Sequence, residues 1–340
     1  MTDAGRRLVA ATVLLAVVVV VAVLLWAPWQ SSHAGPFRYF AAASFWNTPL
    51  AAGAALDPSS PAMVSHLLGE VNHEKSLQDG PNVNTTGYSV PIYTVSAGQS
   101  ASHVALDIPN VGLAKAFSAV PLPGDVRPAS GTDGVAVIWQ PSTDQMWEFW
   151  QLHRVAGAWH ARWGGAMGHV QRGNGLYTAA SWPGAQTFWG VSASSLPQVG
   201  GLMLLSDLKR MRIDHALALA IPDPREHVYT LPAARTDGQS TDPNSLPEGA
   251  RLRLDPALNL KTLHLPPLTL AMARAAQRYG MIVRDTSPVI TFYAQDSTPL
   301  GPDPYYGRHG FFGGLNPRQL MAAFPWSHLQ VLKLSLHQSP

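Results

Sequence analysis

"DQMWEFWQLHRVAGAWHARWGG", residues 144–165, carries four tryptophans, a phenylalanine, two histidines, two arginines and a glutamate in a hairpin-sized stretch. Two alternating segments flank Ala156-Gly157, where glycine supplies the positive φ that tight hairpin turns require. With a two-residue loop, Arg154 faces Trp159, His153 faces His160, Leu152 faces Ala161, Gln151 faces Arg162 and Trp150 faces Trp163. Period-two alternation then sorts Glu148, Trp150, Leu152, Trp159, Ala161 and Trp163 onto one face. The other face carries Trp147, Phe149, Gln151, His153, His160 and Arg162. Neither face has the composition of ordinary solvated surface.

Outward from the hairpin, further segments have strand character: Tyr88–Val95, His103–Leu106, Gly134–Gln140, Ala216–Ile221, His227–Leu231, Arg251–Leu254, Met281–Arg284 and Val289–Ala294. Gly, Pro, Asn, Asp and Ser clusters separate them. Helices are expected from Pro61 to about Asn72, from Pro267 to Tyr279 with Gly280 as terminator, and from the Asn316-Pro317 start signal. No βαβ rhythm and no internal repeat appears. The expected class is mainly β with a few helices, an antiparallel β-sandwich or jelly-roll-like domain. Residues 36–340 read as one globular domain, with 235–249 as a long surface loop and the aromatics of the 36–61 arm packed onto the domain. The glycine-rich segment 301–314, with Tyr305, Tyr306, Phe311 and Phe312, reads as an aromatic lid over a groove or as a loop anchored by its own aromatics.

Only 13% of the 340 residues are charged, against roughly 25% in an average domain, and the net charge of +2 comes without any basic run. Nucleic acid is therefore excluded as an expected partner. The absence of cysteine excludes disulfides and thiolate chemistry. Residues 1–7 form a short basic end, and 8–29 contain the apolar run Leu8–Trp26, broken only by Thr12. As a helix that run spans about 28 Å, close to a bilayer core. The expectation is a transmembrane signal anchor, with Arg6 and Arg7 inside and the domain outside the cytoplasm, or a secreted chain if Ser32-His33-Ala34 is cleaved.

Aromatic rings beside hydrogen-bonding side chains suit a sugar, whose C–H face stacks while its hydroxyls are bonded. Trp147, Gln151, His153, His160, Arg162 and Asp133 are the candidate substrate-binding residues. Glu148, set on an aromatic face, is the candidate proton donor, with an ion pair to Arg154 as its structural alternative. Asp214 is the candidate second carboxylate and His215 a candidate base, with pairing of Asp214 to Arg210 or Arg212 as the plainer role. His153 and His160 come within chelating distance across strands, but no recognised ligand spacing occurs. Neither a metal nor a cofactor is expected, and Walker, G-x-G-x-x-G and G-x-S-x-G motifs are all missing.

The blocks "SFWNTPL", "GTDGVAVIWQPSTDQMWEFWQLHR", "GLMLLSDLKRMRIDHALALAIP" and "AAQRYGMIVRD" resemble those of a family of secreted or membrane-anchored proteins of actinobacteria and related soil bacteria. That resemblance implies an extracellular setting and a β-rich fold and assigns no catalytic residue. The functional expectation is an extracellular carbohydrate-active protein cleaving a polysaccharide, a hydrolase before a lyase. A lyase would use His215 or Tyr279 as base and Arg162 to neutralise a uronate. The alternative is a non-catalytic glycan- or cell-wall-binding protein held at the membrane.

Overall fold

The computed structural model describes residues 37–339, and within them the aromatic stretch folds as two short hairpins rather than one long one. In chain order the elements are α1 (Ser60–Leu77), β1 (Asn82–Asn84), β2 (Val90–Thr94), β3 (Val104–Leu106), α2 (Val111–Ala116), β4 (Ala136–Gln140), β5 (Gln145–Trp150), β6 (His153–Val155), β7 (Ala158–Ala161) and β8 (Trp163–Gly168). There follow α3 (Leu205–Arg210), β9 (Leu217–Ile221), β10 (Val228–Thr230), β11 (Arg251–Leu254), α4 (Pro267–Arg278), β12 (Met281–Thr286), β13 (Thr291–Tyr293), β14 (Gln295–Asp296), α5 (Pro317–Ala322), β15 (Leu329–Val331) and β16 (Leu336–Gln338).

The pairs His153↔His160 and Trp150↔Trp163 form as the alternation requires. Between them the strand breaks at Gln151, whose φ is 51°. Its N–H and that of Leu152 leave the ladder to bond the carbonyls of Asp133 and Gly134, at 2.7 and 3.1 Å. The break divides the hairpin between two sheets: β5 and β8 join one of five strands ordered β14-β2-β4-β5-β8, and β6 and β7 join one ordered β3-β7-β6. The tip turns through Ala156 and Gly157, both at positive φ.

A sheet of six strands, ordered β1-β13-β9-β12-β11-β15, forms the other half, and β10 pairs β16 separately. The chain is mainly β with five α-helices among the described residues, but its sheets are mixed, which corrects the antiparallel expectation. β1 with β13, β9 with β12, β2 with β4 and with β14, and β3 with β7 are parallel. Parallel neighbours need long crossovers. The β2–β4 connection runs through β3 and α2 and therefore shows no βαβ rhythm in the sequence.

Alternation along β9 divides the interior. Ala216, Ala218 and Ala220 belong to the apolar cluster around the five-stranded sheet, while Leu217, Leu219 and Ile221 belong to the cluster formed with α1, α4 and α5. The small residues on the first side leave room for Trp46, which is 1% exposed. A Cβ on Gly201 would lie 2.8 Å from the Trp46 ring and 2.3 Å from the Ala218 nitrogen, and its φ of 69° suits glycine. Tyr39 and Phe40 of the arm are buried like Trp46, Tyr39 lying edge-on to Trp139, whereas Phe37 is exposed, against the expectation that every aromatic of the arm packs onto the domain.

α4 buries Leu268, Ala271, Met272, Ala275 and Ala276 along one stripe and ends before Gly280. α5 begins with a capping box in which Asn316 accepts from the Gln319 N–H and Gln319 reaches back to Asn316. Arg38–Pro340 is a single compact unit. No helix of the described residues is long and apolar enough to cross a membrane; the expected anchor at 8–29 lies outside the described residues.

Candidate functional site

A cleft of about 870 Å³ opens where the two larger sheets contribute side chains to one space. Trp150 of β5 and Trp163 of β8 line it from the five-stranded sheet, and Asp285, Thr291 and Tyr293 line it from the six-stranded sheet. Phe188 stacks on Trp163 at 6.2 Å and 19°, extending an aromatic wall that Tyr88 continues.

The floor is the segment 191–200, which lacks regular structure and is fixed by buried polar ties. Glu148, fully enclosed, accepts from the Val191 and Gln198 N–H groups at 2.8 Å each. Arg284, equally enclosed, donates to the Gln198 carbonyl at 2.8 Å and holds its guanidinium 4.2 Å over the Tyr293 ring. Ser194 donates to the Arg284 carbonyl, so both ends of the segment are stitched to β12 or β5. These ties meet both Glu148 oxygens and one Arg284 nitrogen, while the buried Arg284 Nε and Nη2 atoms have no hydrogen-bond partner among the described residues.

A bulge in β12 between Val283 and Asp285 sets which way Asp285 points. Without it Asp285 would fall on the Val283 side of the sheet; the extra residue lets Asp285 pair with Ala220, on the face where Ile282 pairs with Ala218 and where the cleft lies. Asp285 accepts from the Ala193 N–H at 3.1 Å and keeps one edge open to the cleft. Burial raises its pKa to about 7; the Asp237 and Asp133 carboxylates add to the rise, and Arg284 opposes it. Asp237 accepts from the Thr286 hydroxyl at 2.5 Å, and Asp133 accepts from the Trp150 indole at 3.4 Å.

Behind this trio, Glu248 is buried and burial raises its pKa well above the carboxylate range. Arg235, the lining cation, is committed to the Ser195 hydroxyl at 2.7 Å and to the Ser192 carbonyl at 2.9 Å. Segment 235–249 thus supplies part of the cleft wall and buries Ser245, Leu246 and Glu248, which corrects its reading as a surface loop.

Of the residues expected from sequence, Asp133 lies in the cleft, and Gln151 and Arg162 stand at its edge. The Gln151 amide donates to the Thr132 carbonyl, and the Arg162 guanidinium lies 5.4 Å from the Trp150 ring. The proton-donor role for Glu148 is corrected: both oxygens are taken by backbone N–H groups and none of its surface is exposed. Its pKa is nonetheless raised by burial. Trp147 is 3% exposed, donates to the Ala116 carbonyl and packs edge-on to Trp182, so it is core rather than a sugar platform.

Asp214 is buried in ion pairs, 2.9 Å from Arg212 and 3.9 Å from Arg210. His215 sits between the Ala216 carbonyl and Asp207. Neither of them lines the cleft. His153 and His160 gather outside it, around Asp107. The 301–314 segment is anchored rather than a lid, with Tyr305 and Phe312 buried.

Asp285, Asp237, Tyr88 and Phe188 were not singled out by sequence. The one available signal was the isolated "RD" closing an apolar strand run at 284–285. Compared with protein-family models, with curated proteins and with solved structures, the chain matches none.

Proposed function

We propose that the chain is a glycoside hydrolase of the cell surface, cleaving a polysaccharide in the aromatic cleft. Asp285 is the proton donor and Asp237 or Asp133 the second carboxylate. The observation that carries this reading is the carboxyl of Asp285, raised to about 7 in a cleft walled by Trp150, Trp163 and Phe188. A carboxyl still protonated near neutral pH can donate to a leaving glycosidic oxygen, and an ionised neighbour can act as base or nucleophile. The rings supply the stacking surface and Asn84, Thr132 and Thr236 the hydroxyl partners.

Charge favours a hydrolase over a lyase. Three aspartates line the cleft against one lining cation, the already bonded Arg235, with Arg162 only at the edge over Trp150. Such a cleft repels a uronate and accepts a neutral or amino sugar. The lyase bases considered from sequence are unsuited, since Tyr279 is buried and His215 is bonded elsewhere.

The setting outside the cytoplasm rests on the apolar run Leu8–Trp26 and on the resemblance to anchored and secreted actinobacterial proteins. A face-to-face sandwich of the two larger sheets belongs to the same proposal, supported by the division of β9 side chains between the two apolar clusters.

The test is a panel of neutral, amino-sugar and uronate polysaccharides incubated with the chain. Both reducing ends and unsaturated-uronate absorbance are followed. New reducing ends without absorbance support hydrolysis, absorbance indicates a lyase, and binding without either product leaves the glycan-binding protein.

A further inference from the structure

We propose that Asp107, His153 and His160 form a binding site for one divalent transition-metal ion of the zinc type, beside the cleft and independent of the glycan reading. β3 runs parallel to β7 with Ala105 opposite His160, and β6 pairs β7 with His153 opposite His160. Asp107, just beyond β3, is pinned by its N–H to the Ala161 carbonyl at 2.9 Å. Three sheet positions therefore converge on one point. His160 Nδ1 lies 3.0 Å from Asp107 Oδ1, and His153 Nε2 lies 3.9 Å from Asp107 Oδ2. Ligand atoms of all three lie within 4.8 Å of one another. Tetrahedral ligands at zinc bond lengths are about 3.3 Å apart, so the observed spacings bracket what an ion needs and require only small side-chain movements.

A second observation concerns the far side of one ring. His153 Nδ1 is 2.8 Å from the Gln151 carbonyl. A metal-bound histidine ordinarily donates its other N–H to a carbonyl or carboxylate, which fixes the tautomer and frees the ligating nitrogen. Here that bond leaves Nε2 for the ion, and the left-handed turn at Gln151 precedes the presentation of ring and carbonyl together. The hairpin cation Arg154 is occupied elsewhere: it donates to the Gly157 and Gly124 carbonyls and lies over Trp159.

Two imidazoles with one carboxylate select zinc, nickel or copper over calcium and magnesium. Three protein ligands leave a coordination position for water. A second group, His66, Glu70 and Asp223, is weaker as a site. Its His66 Nε2 sits 2.5 Å from Asp223, far inside the spacing of two zinc ligands, whereas the His160–Asp107 hydrogen bond at 3.0 Å is close to that spacing.

The experiment is equilibrium dialysis of the chelator-stripped full-length chain against Zn²⁺, with Co²⁺ as a spectroscopic substitute. The expected result is one equivalent of Zn²⁺, a visible Co²⁺ band of a low-coordinate site, and no competition from Ca²⁺. His153→Gln and His160→Gln each weaken binding at least tenfold, the double variant abolishes it, and His66→Gln changes nothing. Should a hairpin variant misfold, protection of His153 and His160 of the wild-type chain from diethyl pyrocarbonate by Zn²⁺ gives the same answer. No uptake at sub-millimolar Zn²⁺, uptake unchanged in the double variant, uptake lost in His66→Gln, or absence of protection overturns the site.

Discussion

Replacing Asp285 with asparagine separates stability from activity in a way that follows from its surroundings. The carboxyl is held at about 7 against an ordinary 3.8, chiefly by burial. A group that binds its proton more tightly folded than unfolded lowers stability as pH rises between those two values, and the loss is complete above about 7. From pH 5 to pH 8 roughly two units of that window are crossed, or about 2.7 kcal/mol at 1.36 kcal/mol per unit. Water reaching the open edge of the side chain screens part of this, leaving about 2 kcal/mol. Asparagine retains an oxygen to accept from the Ala193 N–H and does not titrate. Urea unfolding of both chains at pH 5 and pH 8 therefore shows the variant gaining about 2 kcal/mol on the wild type across that interval, while cleavage falls at least a hundredfold. Parallel stability profiles would refute the reasoning, because an Asp285 that titrates normally is no neutral-pH acid.

Three further changes probe the architecture. Glu148→Ala leaves the buried Gln198 and the half-buried Val191 N–H groups unmet and lowers unfolding free energy by about 3 kcal/mol, measured by denaturant titration; an undisturbed midpoint would contradict its role as clamp of the cleft floor. Trp150→Ala and Trp163→Ala each remove a ring from the cleft wall and weaken oligosaccharide binding about tenfold by calorimetry, with unchanged affinity excluding the stacking surface. Gly201→Ala forces a Cβ to 2.3 Å from the Ala218 nitrogen at a φ of 69° and costs on the order of 3 kcal/mol, read as a lower thermal midpoint.

Strand content and the local hairpin register were legible because both depend on period-two alternation and on one turn glycine. Arg251–Leu254 forms over the residues expected, and α4 stops where Gly280 requires. The order of strands in the sheets was not legible. Parallel pairing of β9 with β12 brings together segments about sixty residues apart, and nothing local records that.

The same limit explains the site. Glu148 was singled out because an acid among aromatics is desolvated, and it is; sequence cannot tell desolvation at a catalytic surface from enclosure beneath one. Asp285 escaped notice because a bulge, invisible in the pattern "MIVRDTS", redirects it. Asp237 looked like part of a turn-rich loop until Glu248 and Leu246 were found buried on the same segment. Asp133 was legible only as an acid in the turn "SGTDG" just before the Gly134–Gln140 strand.

The central claim is that Asp285 donates a proton in the cleft, and the pH dependence of cleavage tests it most directly. On the polysaccharide giving the strongest reducing-end signal, the wild-type rate is followed from pH 5 to pH 9 beside Asp285→Asn and Glu148→Gln. The account predicts a wild-type rate that falls above about pH 7, approaching tenfold per unit, a residual rate in Asp285→Asn without that limb, and a Glu148→Gln chain that keeps it. Full activity in Asp285→Asn, or a basic limb that disappears in Glu148→Gln instead, would contradict it.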